Sequence, residues 1–363
     1  MTSSEGLRMT SSEGLAMTSI ICNLLDSYQA LGKNGLRFLN SEKDEETMKT
    51  AIIGPGAMGS LFAYFFMSSR EEIWLIDYRP ERADKIKKDG IRIEGISGEH
   101  HFKLKVTTDP SEMGEAELII ICVKAYDTEA AIKRIAPLIG ETTTVLTLQN
   151  GKGNLEIIAE AVGEGRVIGG TTAQGATALG EGHIRHAGLG ETIIGSPAET
   201  ASERLELIAA LFNRSGIETS TTDDLEGLIW SKLLINVGIN ALTALTRLKN
   251  GQLLEYPGTR KLMAEAVGEG VKVVEAKGIQ LSYPDAVEKV ESVARATAAN
   301  VSSMLQDVLK KKRTEVDYIN GAIVSEGQKL RIDTPVNQSL TYLVKTLEES
   351  YDKQIWHFGK DSG

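Results

Sequence analysis

Lys232, Asn236 and Asn240 recur at i, i+4 and i+8 inside an otherwise apolar segment, residues 229–242. On a helix the three side chains form one polar stripe. Burying a lysine and two amides costs roughly 1–3 kcal/mol for each group left unsatisfied. A solvated face would carry Glu, Lys and Arg rather than two Asn, so the stripe reads as facing a ligand cleft. Interhelical hydrogen bonding is the alternative. A second polar row, Asn300, Ser303 and Asp307 at i, i+3 and i+7, suggests a ligand or hydrogen-bond network role in the same way.

A different chemistry is written at Gly54-Pro55-Gly56-Ala57-Met58-Gly59. Gly54 permits a tight turn, Gly56 lets the backbone approach a pyrophosphate, and Gly59 lets the following helix sit close to the sheet. The helix N-terminus then offers free N–H groups to the phosphates, and Ala57 and Met58 join the glycines as expected cofactor-binding residues. A short β run precedes this turn and an apolar helix follows it, which is the setting that dinucleotide binding needs. Asp77 closes the next β run, where an acid would accept from the adenosine ribose hydroxyls and favour NAD. Arg79 and Arg82 follow it closely and would suit the 2′-phosphate of NADP, so both cofactors stay open.

The elements that must position these groups alternate from residue 48 onward. β runs at 50–53, 73–76, 118–123 and 144–148 are interleaved with helices at 61–67, 80–88 and 127–135. A hairpin is expected from 91–94 and 102–106, with further strands at 167–172, 183–186 and 192–194. Such alternation implies an α/β, doubly wound, Rossmann-type domain over residues 48–220. The texture then changes to long helices, giving an all-α domain over 221–363. Asp223-x-x-Glu226 resembles a capping box for a helix at 228–245. Further helices are expected at 258–277, 284–309, 315–329 and 337–351. The cleft between the two domains is the natural place for a substrate.

Residues 1–47 stand apart. MTSSEGLR at 1–8 recurs as MTSSEGLA at 9–16, a tandem that reads as an extension outside the working fold. At 363 residues the chain is long enough for two cores. A net charge of −10 repels nucleic acid and anionic membranes, so neither is expected as a partner. No continuous apolar run reaches the ~18 residues needed to span a bilayer. Two cysteines without a motif fit a reducing cytoplasm, and Cys122 reads as core. His183 and His186, three apart on a strand, face opposite sides, and no metal site is expected. Lys310-Lys311-Lys312-Arg313 reads as a solvated turn between helices.

From residue 48 to near the C-terminus the chain resembles the ketopantoate reductase (2-dehydropantoate 2-reductase) family. The likeness is carried by the glycine turn, Val123-Lys124-Ala125, Gln149-Asn150-Gly151, the helix at 230–246, Asn250-Gly251, and the segments at 300–307 and 314–321. The resemblance implies reduction of ketopantoate to (R)-pantoate with NADP or NAD, on the way to pantothenate and coenzyme A. It implies Lys232 as the general acid, with Asn236, Asn240, Asn250 and Ser303 on the substrate. Asn300, in the same matching segment as Ser303, is placed with them. Lys124 and Asn150 would line the cofactor near its nicotinamide ribose, and Glu315 would order that end of the site. Lys152 departs from the pattern, standing where an apolar residue is common, and reads as exposed. The expected partner is a small 2-oxo acid, and the expected state a monomer or homodimer. Two other readings stand beside this one: a reductase of the same fold for another 2-oxo acid, and a non-catalytic nicotinamide-binding regulator.

Overall fold

The computed structural model describes residues 47–69, 71–198 and 202–354. The tandem at 1–16 and the rest of the extension up to residue 46 lie outside the described residues.

An eight-stranded sheet runs in the order β12-β11-β8-β7-β6-β1-β2-β5. Its central strands are β1 (Lys49–Ile53), β2 (Glu72–Ile76), β6 (Ala116–Ile121), β7 (Ile139–Thr147) and β8 (Val167–Thr172). These pair in parallel, as do β2 with β5 (Lys105–Thr107) and β11 (Thr192–Gly195) with β12 (Thr219–Thr221). Only β11 and β8 meet antiparallel. A strand buried on both faces reads as a continuous apolar run, and Leu118-Ile119-Ile120-Ile121 is one, each residue at most 1% exposed. The period of two sorts its side chains between two cores. Ile52, Leu118 and Ile120 join Leu61, Phe62 and Phe66 of helix α1 (Ala57–Phe66) on one face. Ala51, Ile53, Ile119 and Ile121 join Ile132 of α3 (Thr128–Arg134) and Ile158 of α4 (Asn154–Val162) on the other. Helix α2 (Pro80–Asp89) and helix α5 (Ser202–Arg214) complete the layers.

The expected hairpin forms only in part. β3 (Ile91–Gly95) pairs antiparallel with β4 (His100–Phe102), but residues 105–107 leave it and join β2 as β5. β3 instead pairs in parallel with β10 (His183–Gly188), which carries β9 (Gly175–Gly180) antiparallel on its other edge. The resulting four-stranded sheet, β4-β3-β10-β9, is separate from the main one. The elements β9, β12, α4 and α5 were not expected from the sequence.

Helix α6 (Leu225–Thr246) is the axis of the helical region. It packs against α7 (Pro257–Ala276), α8 (Ala286–Ala296), α9 (Ser303–Leu309) and α11 (Pro335–Glu349), while also touching β8. α10 (Asn320–Leu330) packs on α7 and α11. By length and averaged hydropathy α6 is able to cross a membrane, yet 67% of that stretch is buried against its neighbours, as for a core helix. Its cap is Asp224, accepting from the Gly227 N–H at 2.9 Å, one residue later than the expected Asp223. The helix expected at 284–309 is broken between Ala296 and Ser303. Ser302 there turns its hydroxyl onto the Leu305 N–H and starts a new helix. The helix expected from Glu315 begins as a single 3₁₀ turn, Val316–Tyr318, before α10.

Candidate active site between the sheet and the helical region

β1 ends in a turn in which Gly54 adopts φ +93° and its carbonyl accepts from the Gly56 N–H at 2.8 Å. A Cβ on Gly59 would stand 2.2 Å from that carbonyl, so the helix approaches the strand as closely as the backbone allows. At Gly56 a Cβ would meet nothing within 4 Å, because this glycine borders a cavity. No side chain caps α1 there, and its first N–H groups stay open to a ligand. The cavity has a volume of about 740 Å³ and is lined at this end by Gly54, Gly56, Ala57 and Met58. Lys124, Asn150, Lys232, Ser303 and Glu315 line it farther along. Gly59 itself is buried and serves the packing. An open backbone cradle at a helix N-terminus suits a dinucleotide pyrophosphate.

Asp77 does not line this cavity. Its carboxylate is 1% exposed and accepts from Arg82 Nε at 2.5 Å and Nη2 at 2.6 Å, and from the Arg79 N–H at 3.1 Å. It borders a smaller cavity of about 100 Å³ together with Gly54 and Tyr78. Arg82 and Arg79 do line the large cavity, Arg79 in a salt bridge with Glu181 at 2.9 Å.

The other end of the cavity is ionic. Lys124, in the loop after β6, donates to Asp307 Oδ2 at 2.6 Å and to Glu315 Oε2 at 3.2 Å. Glu315 Oε1 accepts from the Ala125 N–H at 3.0 Å. Burial opposes the Lys124 charge, but Glu315 and Asp307 outweigh it and hold the ammonium well above the ordinary lysine range. Lys232 has no such partner. Its ammonium donates to the Thr172 carbonyl at 3.0 Å, and burial lowers its pKa to about 8 against an opposing pull from Glu315. The basic turn after α9 is exposed, as expected of a solvated turn. It also borders the cavity through Lys310, Lys312 and Arg313, and Lys310 donates to the Ala178 carbonyl of β9. In an acidic chain these are the local cations that an anionic ligand would meet.

A second cavity, about 380 Å³, meets the first at Gln149, Asn150 and Lys232 and is lined by Asn236. Lys232 therefore stands where the two join. Asn236 is half-buried, and its Nδ2 has no hydrogen-bond partner. Asn240 and Asn250 are buried and line neither of these two cavities, with Asn240 Nδ2 and Asn250 Oδ1 likewise unpartnered. Asn250 Nδ2 is held by Thr297 Oγ1 at 2.9 Å. Asn300 is exposed and precedes the start of α9. Its contribution is a backbone carbonyl that accepts from the Asn250 N–H, so its side chain has no place at either cavity and the i, i+3, i+7 row does not exist as one helix face. Lys152 is half-buried rather than exposed, its ammonium 5.9 Å from the centre of the Trp230 ring. Sequence reasoning missed the Thr172 carbonyl and the bracing of Lys124 by Asp307. It named Gln149 within the matching Gln149-Asn150-Gly151 segment but gave it no role, and the structure has its Nε2 donating to the Val123 carbonyl and to Thr128 Oγ1. The position of Gln149 directly before Asn150 was the one available signal. Among the described residues no group of three or more His, Cys, Asp or Glu is placed to hold a metal ion.

Comparison with known proteins finds two family matches, one after the other along the chain. The family described as "Ketopantoate reductase PanE/ApbA" matches residues 50–199, and its C-terminal counterpart matches residues 224–348. The chain belongs to the ketopantoate reductase family. The 2-dehydropantoate 2-reductase of Halobacterium salinarum is 38% identical over 82% of this chain and 98% of that protein. The enzyme of the same name from Archaeoglobus fulgidus is 35% identical over 83% and 98%. Among solved structures, a ketopantoate reductase of the family from Ralstonia eutropha superposes with a TM-score of 0.76. It is 32% identical and covers 84% of this chain and all of its own. A D-mandelate dehydrogenase solved with NADH and anilino(oxo)acetate superposes with a TM-score of 0.80, at 30% identity over 84% and 99%.

Proposed function

We propose that this chain reduces ketopantoate to pantoate with a nicotinamide dinucleotide, and that Lys232 is the general acid. The observation that carries the proposal is Lys232 at the junction of the two cavities, its charge loosened by burial and its ammonium held by a single backbone carbonyl. The dinucleotide would lie along Gly54, Gly56, Ala57 and Met58, reaching Lys124, Asn150 and Glu315, and would supply a hydride. Reduction of a ketone leaves an alkoxide, which needs a positive charge and a proton at the same point. Lys232 offers both, and an amine with a pKa of about 8 releases its proton more readily than an ordinary lysine. The unpartnered amide of Asn236 lines the second cavity and would bind a substrate oxygen, with the unpartnered amide of Asn240 one turn further along the same side of α6. The names carried by the relatives support ketopantoate as the substrate; a place in pantothenate and coenzyme A formation and a cytoplasmic location are part of the same proposal.

Steady-state turnover of ketopantoate with NADH and with NADPH tests the reading. A second substrate is favoured by the likeness to D-mandelate dehydrogenase: an aryl 2-oxo acid, sharing the carboxylate and ketone but not the hydroxymethyl group. Turnover of such an acid in preference to ketopantoate would replace the first reading.

A further inference from the structure

Asp307 has no part in the reaction as drawn so far, yet it makes the shortest bond in the ionic cluster. Its carboxylate is 2.6 Å from Lys124 Nζ, against 3.2 Å for Glu315. It lies on α9 one turn after Ser303, and so ties the loop after β6 to the helix that borders the cavity. A lysine held for packing alone needs one acceptor, and a buried carboxylate is costly to keep charged. Here burial pushes the Asp307 carboxyl up, and the nearby Lys124 charge is what restrains it. Glu315 is asked to serve two lysines: it bonds to Lys124 and its charge supports the Lys232 ammonium.

We propose that Asp307 is a positioning residue: it shares the Lys124 ammonium with Glu315 across the cleft, and so weakens the hold of that cation on a carboxylate that lines the same cavity as Lys232. This rests on Lys232 acting as the acid. The other charges on these walls come from several elements. The turn after α9 brings Lys310, Lys312 and Arg313, and the segment leading into α3 brings Asp127. On the far side of Lys232 stand Lys152, Glu156, Glu164, Asp223, Asp224 and Glu226. Glu315 is the group whose charge opposes the effect of burial on Lys232.

The signs of two variants separate this role from simple bracing. In Asp307→Asn the ammonium of Lys124 has Glu315 as its only anionic partner, screens it, and the Lys232 amine titrates lower. In Lys124→Met Glu315 is released, and the Lys232 amine titrates higher. Competitive acylation of the Lys232 amine across pH 6–10, on folded enzyme without substrate, reads both. Shifts of about half a pH unit or more, downward for Asp307→Asn and upward for Lys124→Met, are expected. The alkaline limb of kcat should move in the same directions, and Asp307→Glu should keep it near wild type. A titration unchanged or raised in Asp307→Asn overturns the proposal. If that variant does not fold, a titration unchanged or lowered in Lys124→Met overturns it. Because labelling needs no turnover, failure of wild-type enzyme to reduce ketopantoate would count against the function and not against Asp307.

Discussion

The two ends of the cleft are built on opposite plans. At the glycine turn the ligand-facing groups are backbone: a left-handed Gly54, an open Gly56, and a Gly59 pressed against the Gly54 carbonyl. At the stripe on α6 they are side chains, and three of the amides there or beside it carry a buried polar atom with no partner. The difference follows from what each ligand part offers. A pyrophosphate presents charge that any row of N–H groups can meet, so the cradle is complete before the ligand arrives. A small keto acid must be recognised group by group, and on the proposed reading the unsatisfied amides would be completed by the substrate.

Removing the ammonium should break the contrast hardest. Lys232→Ala is expected to lower kcat by about 10²–10⁴-fold while NADH or NADPH still binds, as read by quenching of cofactor fluorescence. Turnover near wild type in that variant would remove Lys232 from the mechanism. Gly59→Ala attacks the other plan: its Cβ would lie 2.2 Å from the Gly54 carbonyl, and the backbone shift should cost about 1–3 kcal/mol of stability. Cofactor affinity should fall with it, and a thermal melt beside a fluorescence titration checks both.

How far the two ends were legible in the sequence follows the same division. The glycine turn is local, each residue acting on its neighbours, and the structure has the β–turn–helix there, with the helix starting at Ala57 rather than at the expected Leu61. The stripe was legible because helical period alone puts Lys232, Asn236 and Asn240 on one side. What lay hidden is long-range. The carbonyl that holds Lys232 belongs to Thr172, sixty residues earlier, and the partner of Lys124 lies 183 residues away. β9 reads Gly-Ala-Thr-Ala-Leu-Gly, with no alternation and a single β-branched residue, so its strand depends on pairing with β10. The break near residue 300 follows residues that continue a helical pattern, and a hydroxyl cap at Ser302 ends it. Asn300 was misread for that reason.

Smaller effects sharpen the comparison. Asn236→Ala should raise KM for the keto acid by roughly tenfold yet leave the melting temperature almost unchanged, because its Nδ2 has no bond to lose. A melting temperature lowered in step with activity would mean that the amide braces the fold. Turnover should also fall as pH rises through about 8, where Lys232 loses its proton, and hold at lower pH. The smallest effect belongs to the adenosine end. Arg79→Ala should raise KM for NADPH by about threefold and leave that for NADH unchanged, if the exposed guanidinium meets a 2′-phosphate.

The central claim is a ketopantoate reductase whose acid is Lys232, and paired steady-state assays of wild type and Lys232→Ala with ketopantoate test it most directly. The account predicts saturable oxidation of NADH or NADPH by the wild-type enzyme and a loss of at least about a hundredfold in kcat for the variant. No ketopantoate-dependent oxidation of either cofactor by a folded, cofactor-binding wild type would contradict it.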